Sequence, residues 1–431
     1  MGSLLTPTLK LPAAVPREEV QLLQYCAYPH LNQVTERELS LLLQNHHINW
    51  RLLLRMAQLH GMMPLLYKTL SSICPEAIPA PILTELKTFF TLNGLRNQAL
   101  TKELCRLLDL LSSSNIPAIP FKGPILATTT YGSLSLRQFS DLDILIRPQD
   151  FVKARNVLLA NQYRRAQPMY GMSDLETEEQ LWMKAKGEYP MLHTNGQFVI
   201  DLHDRLIAGE FPLLSANFDI FWKRLSPISI LNNKTQSFCV EDLLLYLCIH
   251  GSKDLWRKLS WVCDIATLIH IQPQLNWEKV IARSQSLECE QMLWLGISLA
   301  VDLLKVSLPK VAIERMETKF RLQKISHQIQ TQLTSGIEPT AIKYTNLQRV
   351  FFHGQLVENK ADRFRHYLKF LSTLVFRPFT PNIYDKEFIS LPHKFYFLYY
   401  LIRPLRLVAE FLTSFFRCTI GAEESHSSIK K

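Results

Sequence analysis

The chain has 431 residues, of which 47% are hydrophobic and 20% charged, and this length predicts two or three domains rather than one small core. Only 14 residues are glycine, which argues against a barrel or sandwich with many tight turns and favours a helix-rich protein. The net charge of +10 predicts an anionic partner such as a nucleotide, a nucleic acid or an acidic lipid. Because the basic residues are scattered, we favour a nucleotide or a membrane headgroup over a dedicated nucleic-acid surface.

The eight cysteines are far apart in the chain and form no C-x-x-C pair. Most lie within apolar runs, as Cys248 does in "LLLYLCIHG". This distribution is typical of reduced, buried thiols and not of a disulfide framework or a zinc site. The N-terminal segment also lacks the charged start and the long apolar stretch of a signal peptide. We therefore expect a cytoplasmic protein.

The segment 395–416, "FYFLYYLIRPLRLVAEFLTSFF", has the length of a membrane span. Arg403, Pro404, Arg406 and Glu410 fall in its middle, and each central charge costs roughly 2.5–3.5 kcal/mol on insertion. We therefore expect that the segment does not cross a membrane. Its composition fits an aromatic-rich helix that packs on the protein or lies at a membrane surface, so a membrane-peripheral location stays open.

The hydrophobic pattern changes twice along the chain. Apolar residues recur at helical intervals up to about residue 112 and again after about residue 235, while short apolar runs separated by turns lie between. We predict four parts: an N-terminal helical region at 1–112, an α/β core at 113–235, a helical domain at 236–345 and a C-terminal helical region at 346–431.

The predicted core begins with a strand that leads directly into a helix. In "IPAIPFKGPILATTTYG" the helix would have Gly123 as its N-cap, Pro124 at its first position and Gly132 at its end. The run "DLDILI" is typical of a second strand, and a helix follows it. Further on, "KGEYPMLHTNGQFVIDLHDRL" predicts a hairpin that turns at Asn195-Gly196.

The second strand carries two carboxylates that point the same way. Because side chains alternate along a strand, Asp141 and Asp143 share one face, about 7 Å apart. By the same rule Asp201 and His203 share a face of the later strand. If the two strands are neighbours, the three aspartates together fit two Mg²⁺ ions, which prefer oxygen ligands and lie about 3.5–4 Å apart in such sites.

An ordinary amphipathic strand would also show a D-x-D pattern, so the surrounding residues decide between the two interpretations. Lys122 and Gly123 stand at a strand-to-helix turn, where helix N–H groups attract phosphate. Arg137, four residues before Asp141, fits a clamp on a phosphate or a partner for an aspartate. Together with Asp201, these parts meet the needs of phosphoryl transfer, in which positioning and charge neutralisation supply most of the catalysis.

Other polar residues receive weaker predictions. Ser140 fits a local cap next to the phosphate site. His203 fits a hydrogen bond to a carboxylate or a ligand better than the role of a base. On a later helix His250 and Asp254 are one turn apart, which fits a mutual pair as well as a nucleotide or acceptor contact. Trp256 and Trp261 are expected to be core residues that pack this helix against its neighbours.

The ordered series K-G, Y-G, R-x-x-S-D-L-D-I-L-I and V-I-D-L-H resembles the uncharacterised nucleotidyltransferase family of bacteria, within the DNA polymerase beta-like nucleotidyltransferase superfamily. The later "CIHGSKDLWRKLSWVCDIATLI" is similar to the helical region of that family. The resemblance extends over about residues 50–270. Two positions depart from the pattern: Pro124 follows the glycine where the superfamily often has glycine or serine, and Asp254 stands where related sequences often have a second histidine.

The resemblance implies an α+β fold, with a small mixed-sheet nucleotidyltransferase core flanked by N-terminal and C-terminal helical regions. It also implies that Asp141, Asp143 and Asp201 bind Mg²⁺ and act in catalysis, and that Gly123 lies at a phosphate-binding turn. The expected reaction is transfer of a nucleoside monophosphate from a nucleoside triphosphate to an acceptor that the sequence does not identify. The alternative is an inactive protein of the same fold that acts as a binding or scaffold protein, with a peripheral membrane location as one form of this hypothesis.

Overall fold

The computed structural model describes residues 17–27, 33–166, 187–206, 219–317, 320–335, 344, 346–376, 388–389 and 391–407. Contacts divide the chain into two compact units. Unit 1 comprises 1–166 and 182–362, and unit 2 comprises 167–181 and 363–431. This division follows contacts alone, so the four-part organisation of the sequence analysis stays a prediction.

Unit 1 contains a five-stranded mixed sheet, so the expected α+β fold is confirmed. Its strands are β1 (Ala118–Pro120), β2 (Leu142–Ile146), β3 (Tyr163–Arg165), β4 (Glu188–His193) and β5 (Val199–His203). The spatial order is β1-β2-β5-β4-β3. Only β2 and β5 run parallel, and the other neighbours are antiparallel. The strand predicted at "DLDILI" therefore lies in the interior of the sheet, beside the strand that carries Asp201.

The hairpin predicted at Asn195-Gly196 is confirmed by β4 and β5. The Gly196 N–H donates to the His193 carbonyl at 2.8 Å, and the Gln197 N–H donates to Asn195 Oδ1 at 2.9 Å. Gly196 has a φ of +76°, which favours glycine at this position. A second, two-stranded sheet is formed by β6 (Leu225–Ile230) and β7 (Asn233–Phe238).

Helices lie on both sides of the sheet region in the sequence, as predicted. Before and within the sheet region they are α1 (Arg17–Tyr25), α2 (Gln33–Asn45), α3 (Trp50–His60), α4 (Met63–Ile73), α5 (Ala80–Ser113), α6 (Pro124–Thr129), α7 (Phe151–Ala160) and α8 (Asp219–Trp222). After it they are α9 (Val240–Lys253), α10 (Leu259–Ile271), α11 (Trp277–Ser286), α12 (Glu290–Leu304), α13 (Lys310–Glu317), α14 (Phe320–Leu333) and α15 (Asn346–Gln355).

Helix α6 begins as predicted, with Gly123 as N-cap and Pro124 in its first turn, but the expected end at Gly132 is wrong. The helix stops at Thr129, three residues earlier. Threonine is β-branched and competes for backbone carbonyls, and the Thr129 hydroxyl donates to the Ile125 carbonyl at 2.7 Å. Gly132, with a φ of +68°, lies in the loop that follows.

The two faces of β2 belong to different hydrophobic clusters. Leu142, Ile144 and Ile146 pack in a cluster formed by the sheet, the second half of α5 and α7. Leu145 points to the opposite face and joins a larger cluster built mainly from helices. Asp143 shares that second face by alternation, so its carboxylate is held between the sheet and the helices.

The loop between α6 and β2 is tied to α5 by two buried asparagines. The Asn93 amide donates to the Ser135 carbonyl at 3.1 Å. The Asn97 amide donates to the carbonyls of Leu134 at 2.6 Å and Arg137 at 2.7 Å. Helix α5 therefore fixes the backbone that leads into the carboxylate-bearing strand.

In unit 2 the described residues are partly helical. They include most of α16 (Lys360–Phe376), a 3₁₀ turn at His393–Leu398 and a helical stretch at 399–407. Within the described residues, no helix is long and apolar enough to cross a membrane. Residues 408–416 of the aromatic segment lie outside the described part of the chain, and its contact with a membrane surface stays a prediction.

The described cysteines agree with the prediction of separate, buried thiols. Seven of them are free, and all of these except Cys239 are buried. The eighth, Cys418, lies outside the described residues. Burial raises the pKa of the Cys248 thiol well above its usual value, which disfavours the reactive thiolate. We infer that these cysteines are packing residues.

The asparagine contacts predict a measurable loss of stability. Asn97→Ala removes the donor for two carbonyls in a buried region, so we expect the free energy of unfolding to fall by about 1–3 kcal/mol. The matched control is Gln98→Ala, because Gln98 is exposed on the same helix and should change stability by less than about 0.5 kcal/mol. Urea denaturation followed by circular dichroism measures both. Equal values for the two variants would contradict the role given to Asn97.

Candidate active site

Asp143 and Asp201 lie side by side because β2 and β5 pair in parallel with these two residues in register. Ligand atoms of Asp143, Asp201 and His203 all lie within 4.8 Å of one another. Asp143 and His203 are buried, at 5% and 4% exposure. The predicted convergence of the two strands is therefore observed, and His203 is part of the same group.

Asp143 is held by two positively polarised neighbours. Lys122 Nζ lies 2.7 Å from Asp143 Oδ1, and His203 Nε2 lies 3.1 Å from the same oxygen. Burial disfavours the carboxylate, but the Lys122 ammonium and the His203 hydrogen bond hold the pKa of Asp143 well below its usual range. Asp143 is therefore a fixed negative charge, and the predicted hydrogen bond from His203 to a carboxylate is present.

Asp201 and Asp141 behave in the opposite way. Burial, reinforced by the negative charge of Asp143, raises the pKa of Asp201 to about 7. Burial and the negative charge of Asp143 also raise the pKa of Asp141. Both carboxyl groups would ionise more readily if a cation neutralised Asp143 and its neighbours. The three aspartates therefore have too little positive charge around them in the protein alone.

The donor set fits a divalent cation. Asp143 and Asp201 offer carboxylate oxygens, which Mg²⁺ and Mn²⁺ prefer, and the imidazole of His203 is close enough to join or to orient them. Asp141 is not part of this close group, although the sequence analysis placed it among the metal ligands. It lines the same cavity as Asp143, but the close set of possible ligands consists of Asp143, Asp201 and His203.

A cavity of about 510 Å³ is lined by Asp141 and Asp143, whereas Asp201 and His203 are not among its lining residues. Its lining includes the predicted site residues that lie before or at the start of β2, namely Lys122, Gly123, Arg137, Ser140, Asp141 and Asp143. Its other walls come from α3, α5, α9 and α10, for example Phe89 of α5 and Trp261 of α10. A ligand in this cavity would contact both the sheet region and the helices.

One of the two interpretations of Arg137 made it a partner of Asp141 or Asp143. The structure does not show this pairing. The Arg137 guanidinium binds Asp264 of α10 through two hydrogen bonds of 2.9 Å each. The Tyr131 hydroxyl donates to the same carboxylate at 2.8 Å. Burial opposes the charge on Arg137, but Asp264 raises the pKa of the guanidinium above its usual value. The network fixes Arg137 at the cavity wall.

The sequence analysis did not identify Asp264 as the partner of Arg137. The two residues are 127 positions apart in the chain, and no local spacing relates them. Asn93 and Asn97 were also missed, although two asparagines one turn apart in the middle of an apolar helix are an unusual pattern. That pattern is the one sequence signal that could have indicated a buried polar contact here.

His250 and Asp254 lie close together without a hydrogen bond, and His250 also lines the cavity, so both interpretations of this pair stay predictions. His250 Nδ1 lies 3.8 Å from Asp254 Oδ2. Burial, reinforced by Lys122, holds the pKa of His250 well below its usual value, so this histidine is neutral. Trp256 is fully buried, as expected. Trp261, expected in the core, is only half-buried and lines the cavity, because it lies in the first turn of α10.

A family described as "uncharacterised nucleotidyltransferase" matches residues 46–305 of the chain. This match covers more than half of the sequence, and the chain belongs to this family. We found no significant match among curated proteins or among solved structures. The matched region contains the five-stranded sheet, the group formed by Asp143, Asp201 and His203, and all the residues that line the cavity.

The Arg137–Asp264 pair predicts a strong coupling in stability. Arg137→Met or Asp264→Asn alone leaves one buried charge without a partner, so each should lower the free energy of unfolding by about 3–5 kcal/mol. The double variant should lose clearly less than the sum of the two single losses. Urea denaturation of the three proteins gives the coupling energy.

The control for this experiment is Lys310→Met, which breaks an exposed ion pair with Glu314. We expect a loss of at most about 1 kcal/mol there. Additive losses from Arg137→Met and Asp264→Asn would show that the two residues do not act as a pair.

Proposed function

We propose that the protein is a Mg²⁺-dependent nucleotidyltransferase of the DNA polymerase beta-like type, which transfers a nucleoside monophosphate from a nucleoside triphosphate to an acceptor hydroxyl. The observation that carries this proposal is the register of β2 and β5. It brings Asp143 together with Asp201 and His203, and Asp143 also lines a cavity large enough for part of a nucleotide. Membership in a nucleotidyltransferase family supports the same reaction.

The reaction needs a nucleophile and a leaving group on opposite sides of the α-phosphorus. The acceptor oxygen forms a bond to the α-phosphorus, the bond from that phosphorus to the bridging oxygen of the β-phosphate breaks, and pyrophosphate leaves. The proton of the acceptor hydroxyl has to be taken up. Asp201 suits this role because it lies in register with Asp143, and its carboxylate would be ionised, and so able to accept a proton, once a cation is bound beside it.

Asp141, Asp143 and Asp201 would hold the ions, and two Mg²⁺ ions are the number proposed for such a set of carboxylates. When bound, Mg²⁺ would neutralise the phosphate charge that grows during the transfer. His203 orients Asp143 through its hydrogen bond. Lys122 balances the charge of Asp143 within 2.7 Å and lines the cavity, where its ammonium can contact phosphate. Ser140 and Gly123 lie beside it.

Substitution of the acidic residues tests the proposal directly. Asp141→Asn and Asp143→Asn should each leave a folded protein whose transfer of label from an α-labelled triphosphate falls by more than about 100-fold, beyond the 10–100-fold typical of residues that only surround a metal site. The matched control is Asp109→Asn, because Asp109 is an exposed carboxylate of α5 that does not line this cavity. The assay presents the four triphosphates with pools of sugars, small metabolites, proteins and RNA as acceptors. Unchanged transfer by Asp143→Asn would refute the mechanism.

Metal binding can be measured without any acceptor. Mn²⁺ bound to the wild-type protein should be detected by electron paramagnetic resonance, and Mg²⁺ should displace it because both ions favour the same oxygen ligands. Asp143→Asn and Asp201→Asn should weaken Mn²⁺ binding by more than about 10-fold, while Asp109→Asn should not change it. A protein that binds neither metal nor nucleotide under these conditions would be the scaffold of the alternative hypothesis.

A further inference from the structure

Two basic residues in the cavity wall have no role in the site described so far. Arg96 of α5 and Lys258, the residue that precedes α10, both line the cavity and are both exposed. Neither forms an ion pair with any acidic residue in the described part of the chain. Lys122 and Arg137, in contrast, are engaged by Asp143 and Asp264.

The charges that line the cavity therefore do not balance. Lys122 compensates Asp143, and Arg137 is compensated by Asp264 behind the wall. Asp141 is the only other acidic residue in the lining, against Arg96 and Lys258. The part of the cavity formed by α5 and the start of α10 thus carries excess positive charge, which attracts anions from solution.

The turn at Gly123 cannot supply all the contacts that a triphosphate needs. Pro124 has no N–H, and the Ile125 N–H already donates to the Lys122 carbonyl at 2.7 Å. The following helix, α6, is only six residues long, so its dipole is small. Phosphate oxygens that point away from the carboxylates must find donors elsewhere in the cavity.

We infer that Arg96 and Lys258 form an anion subsite that binds the terminal phosphates of the nucleoside triphosphate, an inference that rests on the proposed function. Cations held by Asp143 and Asp201 would bind one end of the polyphosphate, and Arg96 and Lys258 would bind the other end. Arg96 donates from a planar guanidinium suited to phosphate, and Lys258 adds a mobile ammonium. A phosphate group of a phosphorylated acceptor has the same chemistry, and the experiment below separates the two sources.

The test uses the full-length protein with Mg²⁺ and compares Arg96→Gln and Lys258→Gln with the wild type by isothermal titration calorimetry. Each variant should weaken the binding of ATP and of inorganic tripolyphosphate by about three- to tenfold, as expected for one exposed charge-assisted contact. The affinity for AMP should stay within about twofold, because AMP has no terminal phosphates. The matched control is Lys102→Gln, because Lys102 is exposed on α5 but lines no part of this cavity.

The outcomes separate this inference from the proposed function. If label transfer depends on Asp143 but ATP binding does not change in the Arg96 and Lys258 variants, the anion subsite is refuted and the nucleotidyltransferase function is supported. If tripolyphosphate binding depends on Arg96 and Lys258 but no label is transferred, the anion subsite is supported and the nucleotidyltransferase function is refuted. Equal losses for AMP and ATP overturn the assignment to the terminal phosphates. A loss confined to glucose 1-phosphate, used as a phosphorylated acceptor, overturns it in favour of the acceptor.

Discussion

The parallel pairing of β2 with β5 determines the chemistry of this region, because it places Asp143 opposite Asp201. Neighbouring strands are only about 4.8 Å apart. Two carboxylates in register on one face are therefore close enough to repel each other. A shift of one residue in either strand would turn one of them to the opposite face. The apolar residues next to Asp143 and Asp201 in the two strands prevent that shift. Leu142, Ile144 and Ile200 all pack in the same hydrophobic cluster, and a shift would remove some of them from it.

The repulsion that this pairing creates is only partly compensated by the protein. Lys122 and His203 both contact one oxygen of Asp143, and no equivalent contact to Asp201 is present among the described residues. Asp201 therefore responds with a raised pKa, caused by burial and by Asp143. A half-buried carboxylate without a positive partner costs stability unless a ligand contributes charge. The uneven compensation is itself a physical argument for a cation site.

The position of the Asp201 strand beside the D-x-D strand was stated only as a condition, and the family resemblance implied it. Local patterns in the sequence were sufficient to predict the strand-to-helix turn at Gly123 and the hairpin at Asn195-Gly196. Each of these depends on neighbours in the chain or on strict alternation. The end of α6 was placed three residues too late, because the conformational preference of the threonines was given too little weight. The contact of Arg137 with Asp264 was not predictable in this way, since it depends on how α10 packs against the loop before β2.

The helices are as much a part of the site as the sheet. Helix α5 holds the loop before β2 through Asn97, and α10 holds Arg137 of that loop through Asp264. Both helices also supply walls of the cavity. The matched family region begins at residue 46, just before α3, and ends at residue 305, just after α12. Its limits thus enclose the sheet together with the helices that position its loop, which is expected if the shared unit is the complete cavity and not the sheet alone.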